Sequence, residues 1–194
     1  MSPTRLPFLP TIALLCGLAM PAAAAPREPD VRTLVNFDGD PDEPRWVAVN
    51  DGVMGGQSSG GPALGDGVLE FSGTLSLANN GGFSSVRSVG RGFDLGDASH
   101  VLLRVRGDGR RYRLRLATDA RHRGMPVSYG AGFDTSAGEW TRVRLPLSTL
   151  APTVRGRALQ GPPLDPSRVR EIGLLIADKR EGPFRLVVDW IAAE

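Results

Sequence analysis

The chain has 194 residues, and 41% of them are apolar, which is enough for one domain with a hydrophobic core. Its formal net charge is only +2, because 23 basic residues are interspersed with 21 acidic ones. A nucleic-acid-binding protein would show a basic stripe or patch, and this sequence has none, so we expect no nucleic-acid partner.

The first 25 residues predict a secretory signal peptide. An apolar run over residues 8–20 is followed by a small-residue stretch that fits signal-peptidase cleavage. The run has about 13 residues, fewer than the roughly 20 that a membrane-spanning helix needs, and a mitochondrial transit peptide would be richer in Arg and Ser. Cys16 leaves a lipoprotein signal as a weaker alternative, since the residue before it is not small. We therefore predict a periplasmic or secreted protein that does not span a membrane and whose single domain covers residues 26–194.

Short runs of alternating apolar and polar residues follow, bounded by Gly, Pro, Asp and Asn. In residues 111–118, Tyr112, Leu114 and Leu116 lie on one face and three arginines on the other, which is typical of an antiparallel sheet. Comparable runs cover residues 32–37, 68–77, 83–89, 100–107, 127–134, 139–147, 171–178 and 184–192. A Pro- and Gly-rich stretch at 151–163 predicts a long surface loop. The pattern predicts an all-β sandwich of about nine to eleven strands with little helix.

Four motifs resemble the CIA30 family, the complex I intermediate-associated protein 30 domain. They are "WVAVNDGVMGGQSSG", "LSLANNGGFSSVRS", "GEWTRVRLPLSTLAPTVRGR" and "IGLLIADKREGPFRLVVDWI", and they occur in this order over residues 34–191. The resemblance implies a galactose-binding-domain-like jelly roll and a role as an assembly factor or chaperone for respiratory complex I. The family's eukaryotic members carry mitochondrial targeting, whereas this chain is predicted to carry a secretory signal. The fold therefore transfers more directly than the assembly role.

The first motif contains a glycine corner at residues 49–61. Gly55 and Gly56 permit positive φ angles or a close backbone approach, and Asp51 favours a turn. One interpretation is a bulged corner between two strands. The other is a loop whose N–H groups and Asp51 contact a ligand or partner. A phosphate-binding loop is excluded, since the lysine and the glycine spacing of that motif are missing.

A second glycine corner lies at residues 79–83. Asn79 and Asn80 there either hydrogen bond to sugar hydroxyls or take left-handed conformations in a hairpin turn. Trp46 either stacks on a sugar or packs in the core. If both corners lie at one end of the sandwich, their polar residues form a cluster. The candidate partner- or ligand-binding residues are Trp46, Asp51, Met54, Gly55, Gly56, Gln57, Asn79, Asn80 and Arg87.

An acidic run at residues 37–44 suggests a metal site. Asp38 and Asp40 supply hard oxygen ligands at alternate positions, which suit Ca²⁺. Related galactose-binding-like sandwiches often hold a structural calcium between the N-terminal strand and an acid on the last strand, and Asp189 is the matching acid here. The alternative is a solvated acidic turn. Calcium is the only cofactor that the sequence suggests.

The sequence offers no catalytic motif. His100 and His122 are the only histidines, and neither belongs to a recognisable nucleophile or zinc-binding pattern. We therefore predict a non-enzymatic module that binds a protein partner. The alternatives are a carbohydrate-binding jelly roll and a hydrolase with a carboxylate pair that meets only in space.

Overall fold

The computed structural model of the protein describes residues 30–194. The predicted signal peptide lies outside the described residues. Within these residues, thirteen strands alternate with short turns, and the helical segments are four 3-10 turns at Asp51–Met54, Ala78–Asn80, Leu147–Thr149 and Pro166–Arg168. The strands are β1 Arg32–Val35, β2 Arg45–Asn50, β3 Ser59–Gly65, β4 Val68–Leu75, β5 Ser84–Val89, β6 His100–Arg106, β7 Arg111–His122, β8 Met125–Asp134, β9 Trp140–Pro146, β10 Ala151–Val154, β11 Arg157–Ala158, β12 Glu171–Ile176 and β13 Gly182–Ala193.

The strands form two antiparallel sheets. One sheet has the order β3-β4-β13-β6-β9, with β1 also paired to β13, and the other has the order β11-β10-β8-β7-β12-β5-β2. The predicted all-β sandwich is thereby confirmed. No helix within residues 30–194 has both the length and the apolar character needed to cross a membrane.

The predicted count of nine to eleven strands was too low. The segment 151–163, predicted to be a surface loop, contains β10 and β11, and β10 hydrogen bonds to β8. The Gly-rich strand β3 pairs with β4 along its whole length. Both segments carry the residues that usually mark turns, and only their partners in the sheet hold them extended.

The core lies between the two sheets and is built from the alternating residues of each strand. Phe71 of β4 and Tyr112 of β7 are fully buried. Phe71 also packs against Phe184 of β13, with ring centroids 4.9 Å apart. Burial of these apolar faces is the main source of stability, at about 25 cal/mol per Å² of apolar surface removed from water.

Candidate functional site: the glycine tip

The two glycine corners meet at one end of the sandwich. The first connects β2 to β3 and the second connects β4 to β5. The backbone N–H of Asp51 donates to the carbonyl of Phe83 at 3.3 Å. The side-chain amide of Asn79 donates to the carbonyl of Gly55 at 3.2 Å. We call residues 50–58 and 76–83 together the glycine tip.

Asp51 joins the two halves of the tip through its carboxylate. One oxygen, Oδ1, accepts from the backbone N–H of Ser58 at 2.9 Å. The other, Oδ2, accepts from the Ser58 hydroxyl and from the N–H of Gly82, each at 2.6 Å, and from the N–H of Phe83 at 3.2 Å. Asp51 is 0% exposed, and every one of these donors belongs to the chain itself. The carboxylate therefore fixes the tip from inside and does not face a partner.

The charged state of Asp51 follows from these contacts. Burial by itself favours the neutral acid and raises the pKa. The hydrogen bonds from the Ser58 hydroxyl and from the N–H groups of Gly82, Phe83 and Ser58 stabilise the anion, so that the pKa of Asp51 lies below its ordinary value. The tip thus contains a buried, ionised and fully hydrogen-bonded carboxylate.

Two glycines give this carboxylate its space. A Cβ atom on Gly56 would lie 2.7 Å from the Cβ of Asp51, and one on Gly81 would lie 2.6 Å from its Oδ2. Gly55 has a φ of +89°, which favours glycine. The glycine corner is therefore a backbone requirement, and any contact with a partner must come from other atoms of the tip.

The outer surface of the tip carries apolar side chains and side-chain amides. Val53 and Met54, on the 3-10 turn that Asp51 begins, are 75% and 66% exposed. Leu77, on the facing half of the tip, is 41% exposed. Three predicted candidates, Gln57, Asn79 and Asn80, are exposed beside them. Sequence reasoning missed Val53 and Leu77, although apolar residues inside a Gly- and Asn-rich turn are the signal that marks them.

Two predicted site residues lie away from the tip. Trp46 is 8% exposed and packs against Phe37, with ring centroids 5.8 Å apart. It belongs to the core, so its ring is not available to stack on a sugar. Arg87 lies within β5, on the outer face of the seven-stranded sheet, with Glu171 as its nearest acid.

The residues predicted to bind calcium have partners within the chain. Asp189 pairs with Arg104. Asp38 accepts from the side chain of Asn36, and Asp40 accepts from the backbone N–H of Asp42. Within residues 30–194, no three His, Cys, Asp or Glu side chains are grouped to hold a metal ion. Calcium binding stays a prediction without a preformed ligand set.

Solved structures show what class of fold this is. The family 11 carbohydrate-binding module from Clostridium thermocellum superposes with a TM-score of 0.62 at 17% identity, covering 84% of this chain and 94% of that one. An agarase, AgWH50C, matches with a TM-score of 0.55 at 14% identity, over 84% of this chain and 24% of that one. At these identities the likeness concerns the fold alone, a galactose-binding-like jelly-roll β-sandwich.

Sequence relatives give the family. The family described as complex I intermediate-associated protein 30 (CIA30) matches residues 35–188, so the chain belongs to this family. The mouse complex I intermediate-associated protein 30, mitochondrial, is 32% identical over 104 residues, which are 51% of this chain and 31% of the mouse protein. A Caenorhabditis elegans protein, named as its probable counterpart, is 33% identical over 99 residues, which are 48% of this chain and 28% of that protein. The chain thus matches less than a third of the length of these relatives.

The predicted periplasmic or secreted localisation is wrong. The mouse protein, the Caenorhabditis elegans protein and a further relative from Caenorhabditis briggsae are all named as mitochondrial, which points to mitochondria and away from export. The prediction relied only on the composition of the N-terminal residues, an apolar run followed by small residues. The names of the relatives indicate a location that the composition of those residues does not reveal.

Proposed function

We propose that this CIA30 domain is a non-enzymatic module that binds a protein partner through its glycine tip. The observation that carries the proposal is the exposure of Val53 and Met54 on a turn whose backbone Asp51 fixes. Covering exposed apolar side chains with a partner removes them from water, which lowers the free energy of the complex. Because the turn is already ordered, little conformational entropy is lost on binding.

The family suggests what the partner is. The curated relatives are named for their association with an intermediate of complex I. We propose the same kind of partner for this chain, an assembly intermediate of complex I that presents an apolar pocket to the tip. The association with complex I is stated in the names of the relatives, which are more than three times the length of the matched region. The proposal extends that association to this chain.

Affinity capture tests this proposal. The chain and its Val53→Ser/Met54→Ser variant are used to capture proteins from membrane extracts of the source cells, and complex I subunits are quantified by mass spectrometry. Leu64→Ser is the matched control, because Leu64 is 59% exposed on β3, outside the tip. We expect the chain and the control to retain complex I subunits and the tip variant to lose them. Equal recovery with all three proteins, or recovery of no complex I subunit, contradicts the proposal.

A second candidate function is carbohydrate binding at the same tip. It is favoured by the exposed amides of Gln57, Asn79 and Asn80, which can hydrogen bond to sugar hydroxyls. The burial of Trp46 counts against it, because the ring predicted to stack on a sugar is in the core. A glycan array in calcium-containing buffer tests it, and hits that disappear in Asn80→Ala would favour this function over protein binding.

A further inference from the structure

Three arginines face outward from the middle of the seven-stranded sheet. Gly173 of β12 pairs with Arg87 of β5 on one side and with Arg115 of β7 on the other. Arg113 lies two residues before Arg115 on the same face of β7. The intervening Leu114 is fully buried in the core. We call Arg87, Arg113 and Arg115 the arginine face.

The arginine face lacks matching acids among the residues that the structure describes. Within residues 30–194, the one carboxylate at ion-pair distance from these arginines is Glu171, 3.8 Å from Nε of Arg87. That Nε is buried and has no hydrogen-bond partner. Elsewhere the pairing is tighter, as for Arg185 and Glu70 at 2.6 Å. A buried N–H group without an acceptor costs free energy. The side chain of Arg87 is 28% exposed, and its exposed atoms, not the buried Nε, are those that an incoming oxyanion can contact.

The other two arginines find only neutral acceptors. Arg115 donates to the hydroxyl of Ser128 at 2.6 Å, and Arg113 donates to the carbonyl of Gly130 at 3.4 Å. Burial, and then repulsion from Arg87 and Arg113, lowers the pKa of Arg115. The guanidinium of Arg115 therefore lies in a partly desolvated position, where the charges of Arg87 and Arg113 repel it.

Glycines form the floor beneath these side chains. A Cβ atom on Gly173 would lie 3.5 Å from Cγ of Arg87 and 3.8 Å from Cβ of Arg115, and one on Gly130 would lie 3.6 Å from Nη2 of Arg113. The arginine side chains therefore pack against glycine backbone, at positions where a larger residue would crowd them.

The same face has no aromatic platform near Gly173. The outward positions around it on β5, β12, β7 and β8 carry charged, small or aliphatic side chains, such as Glu171, Leu175 and Ser128, and none of them is aromatic. The aromatic rings of these strands, such as Tyr112 and Tyr129, are buried on the opposite face. The face therefore offers no aromatic ring as a platform, whereas a carboxylate would find several guanidinium donors.

We infer that the arginine face binds an extended acidic segment of a protein partner. Alternate residues of a strand lie about 6.6–6.8 Å apart, which is the spacing of Arg113 and Arg115 and also that of alternate side chains in an extended ligand. Acidic side chains at every second position of such a segment therefore match the arginines, and each guanidinium can bind a carboxylate through two hydrogen bonds. The inference rests on the proposed function in one respect, namely that the occupant is a protein.

A peptide-binding experiment tests this inference. The probe is a dye-labelled six-residue peptide that alternates Glu and Ser, and its counterpart carries Gln in place of Glu. Fluorescence anisotropy of the full chain is expected to give at least about tenfold tighter binding for the Glu peptide, since hydrogen bonds between charged groups are the stronger ones. Binding should weaken as salt is added. Equal binding of the two peptides, or binding of neither, overturns the inference.

Variants locate the site on the sheet. Arg87→Gln/Arg115→Gln is expected to weaken binding of the Glu peptide about tenfold or more. Arg157→Gln is the control, because it removes one positive charge at an exposed position on β11, three strands from β7. It should alter binding less than about twofold. Thermal unfolding verifies that both proteins are folded. Wild-type affinity in the double variant overturns the inference.

Two further measurements separate the possible explanations. If inorganic phosphate binds to the arginines and the Glu peptide does not, the face is a small-anion site and the acidic-segment inference fails. The Val53→Ser/Met54→Ser variant should bind the Glu peptide as the wild type does, because its substitutions lie at the tip. Failure of the capture experiment therefore leaves the peptide result intact, and a failed peptide experiment leaves the capture result intact.

Discussion

The glycine tip and the arginine face differ in how their charged groups are paired. At the tip, the carboxylate of Asp51 is buried and accepts four hydrogen bonds from the chain, while apolar side chains point into water. On the arginine face, Glu171 lies 3.8 Å from Nε of Arg87, and Arg113 and Arg115 donate to neutral acceptors. A satisfied polar group stabilises a fold, whereas an exposed charge without an opposite charge beside it can still bind one. Asp51 is therefore structural, although the sequence made it a candidate contact, and the arginines are the better candidates for polar recognition.

The largest expected effect is on stability, from removing the carboxylate at the tip. Asp51→Ala leaves the N–H groups of Ser58, Gly82 and Phe83 without their acceptor, and we expect it to lower the free energy of unfolding by about 3–5 kcal/mol. Denaturant unfolding measures this loss. Asp134→Ala is the control, because Asp134 is an exposed partner of Arg111 and should cost less than about 1 kcal/mol. Similar losses in both variants would show that Asp51 has no special role.

The stabilisation by Asp51 should depend on pH. Because the folded-state pKa of Asp51 is below the ordinary value of 3.8, the carboxylate contributes stability above pH 3.8, and this contribution is lost as pH falls through the folded-state pKa. The stability difference between the wild type and Asp51→Asn should therefore be largest near neutral pH and shrink in acid. A difference that stays constant down to the lowest pH would contradict an ionised Asp51.

A smaller effect is expected from glycine substitutions within the tip. Gly56→Ala places a methyl group against Asp51 and should cost about 1–3 kcal/mol. Gly52→Ala is matched in chemistry and location, but its Cβ meets nothing within 4 Å, so its effect should stay within about 0.5 kcal/mol. Thermal unfolding compares the two variants. Equal effects would mean that the tip does not pack as closely around Asp51 as the structure has it.

The smallest effect on stability is expected on the arginine face. Arg115→Gln removes a partly desolvated charge that its neighbours Arg87 and Arg113 repel, so the free energy of unfolding should change by less than about 1 kcal/mol, toward greater stability. Denaturant unfolding at low salt is the measurement. A loss of several kcal/mol would show that Arg115 supports the fold as Asp51 does, and the contrast between the two regions would disappear.

The sequence by itself determined the class of fold and the faces of its strands. The alternation of Tyr112, Leu114 and Leu116 with arginines predicts which side of β7 is buried, because the two-residue period of a strand is a local property. The four motifs identified the family, and the family comparison confirmed it. The same local reasoning missed β10, because its Pro- and Thr-containing segment becomes a strand only through pairing with β8.

Only the tertiary structure decided what the candidate residues do. Asp51 is buried because its acceptor oxygens meet the N–H groups of Gly82 and Phe83, more than thirty positions along the chain. Arg87 and Arg115 become neighbours because Gly173 lies between them in the sheet. Hydrogen bonding, burial and charge repulsion depend on distances between residues remote in sequence. Local composition names the residues that can take part, and the packing of the two sheets determines which of them are satisfied and which remain open to a partner.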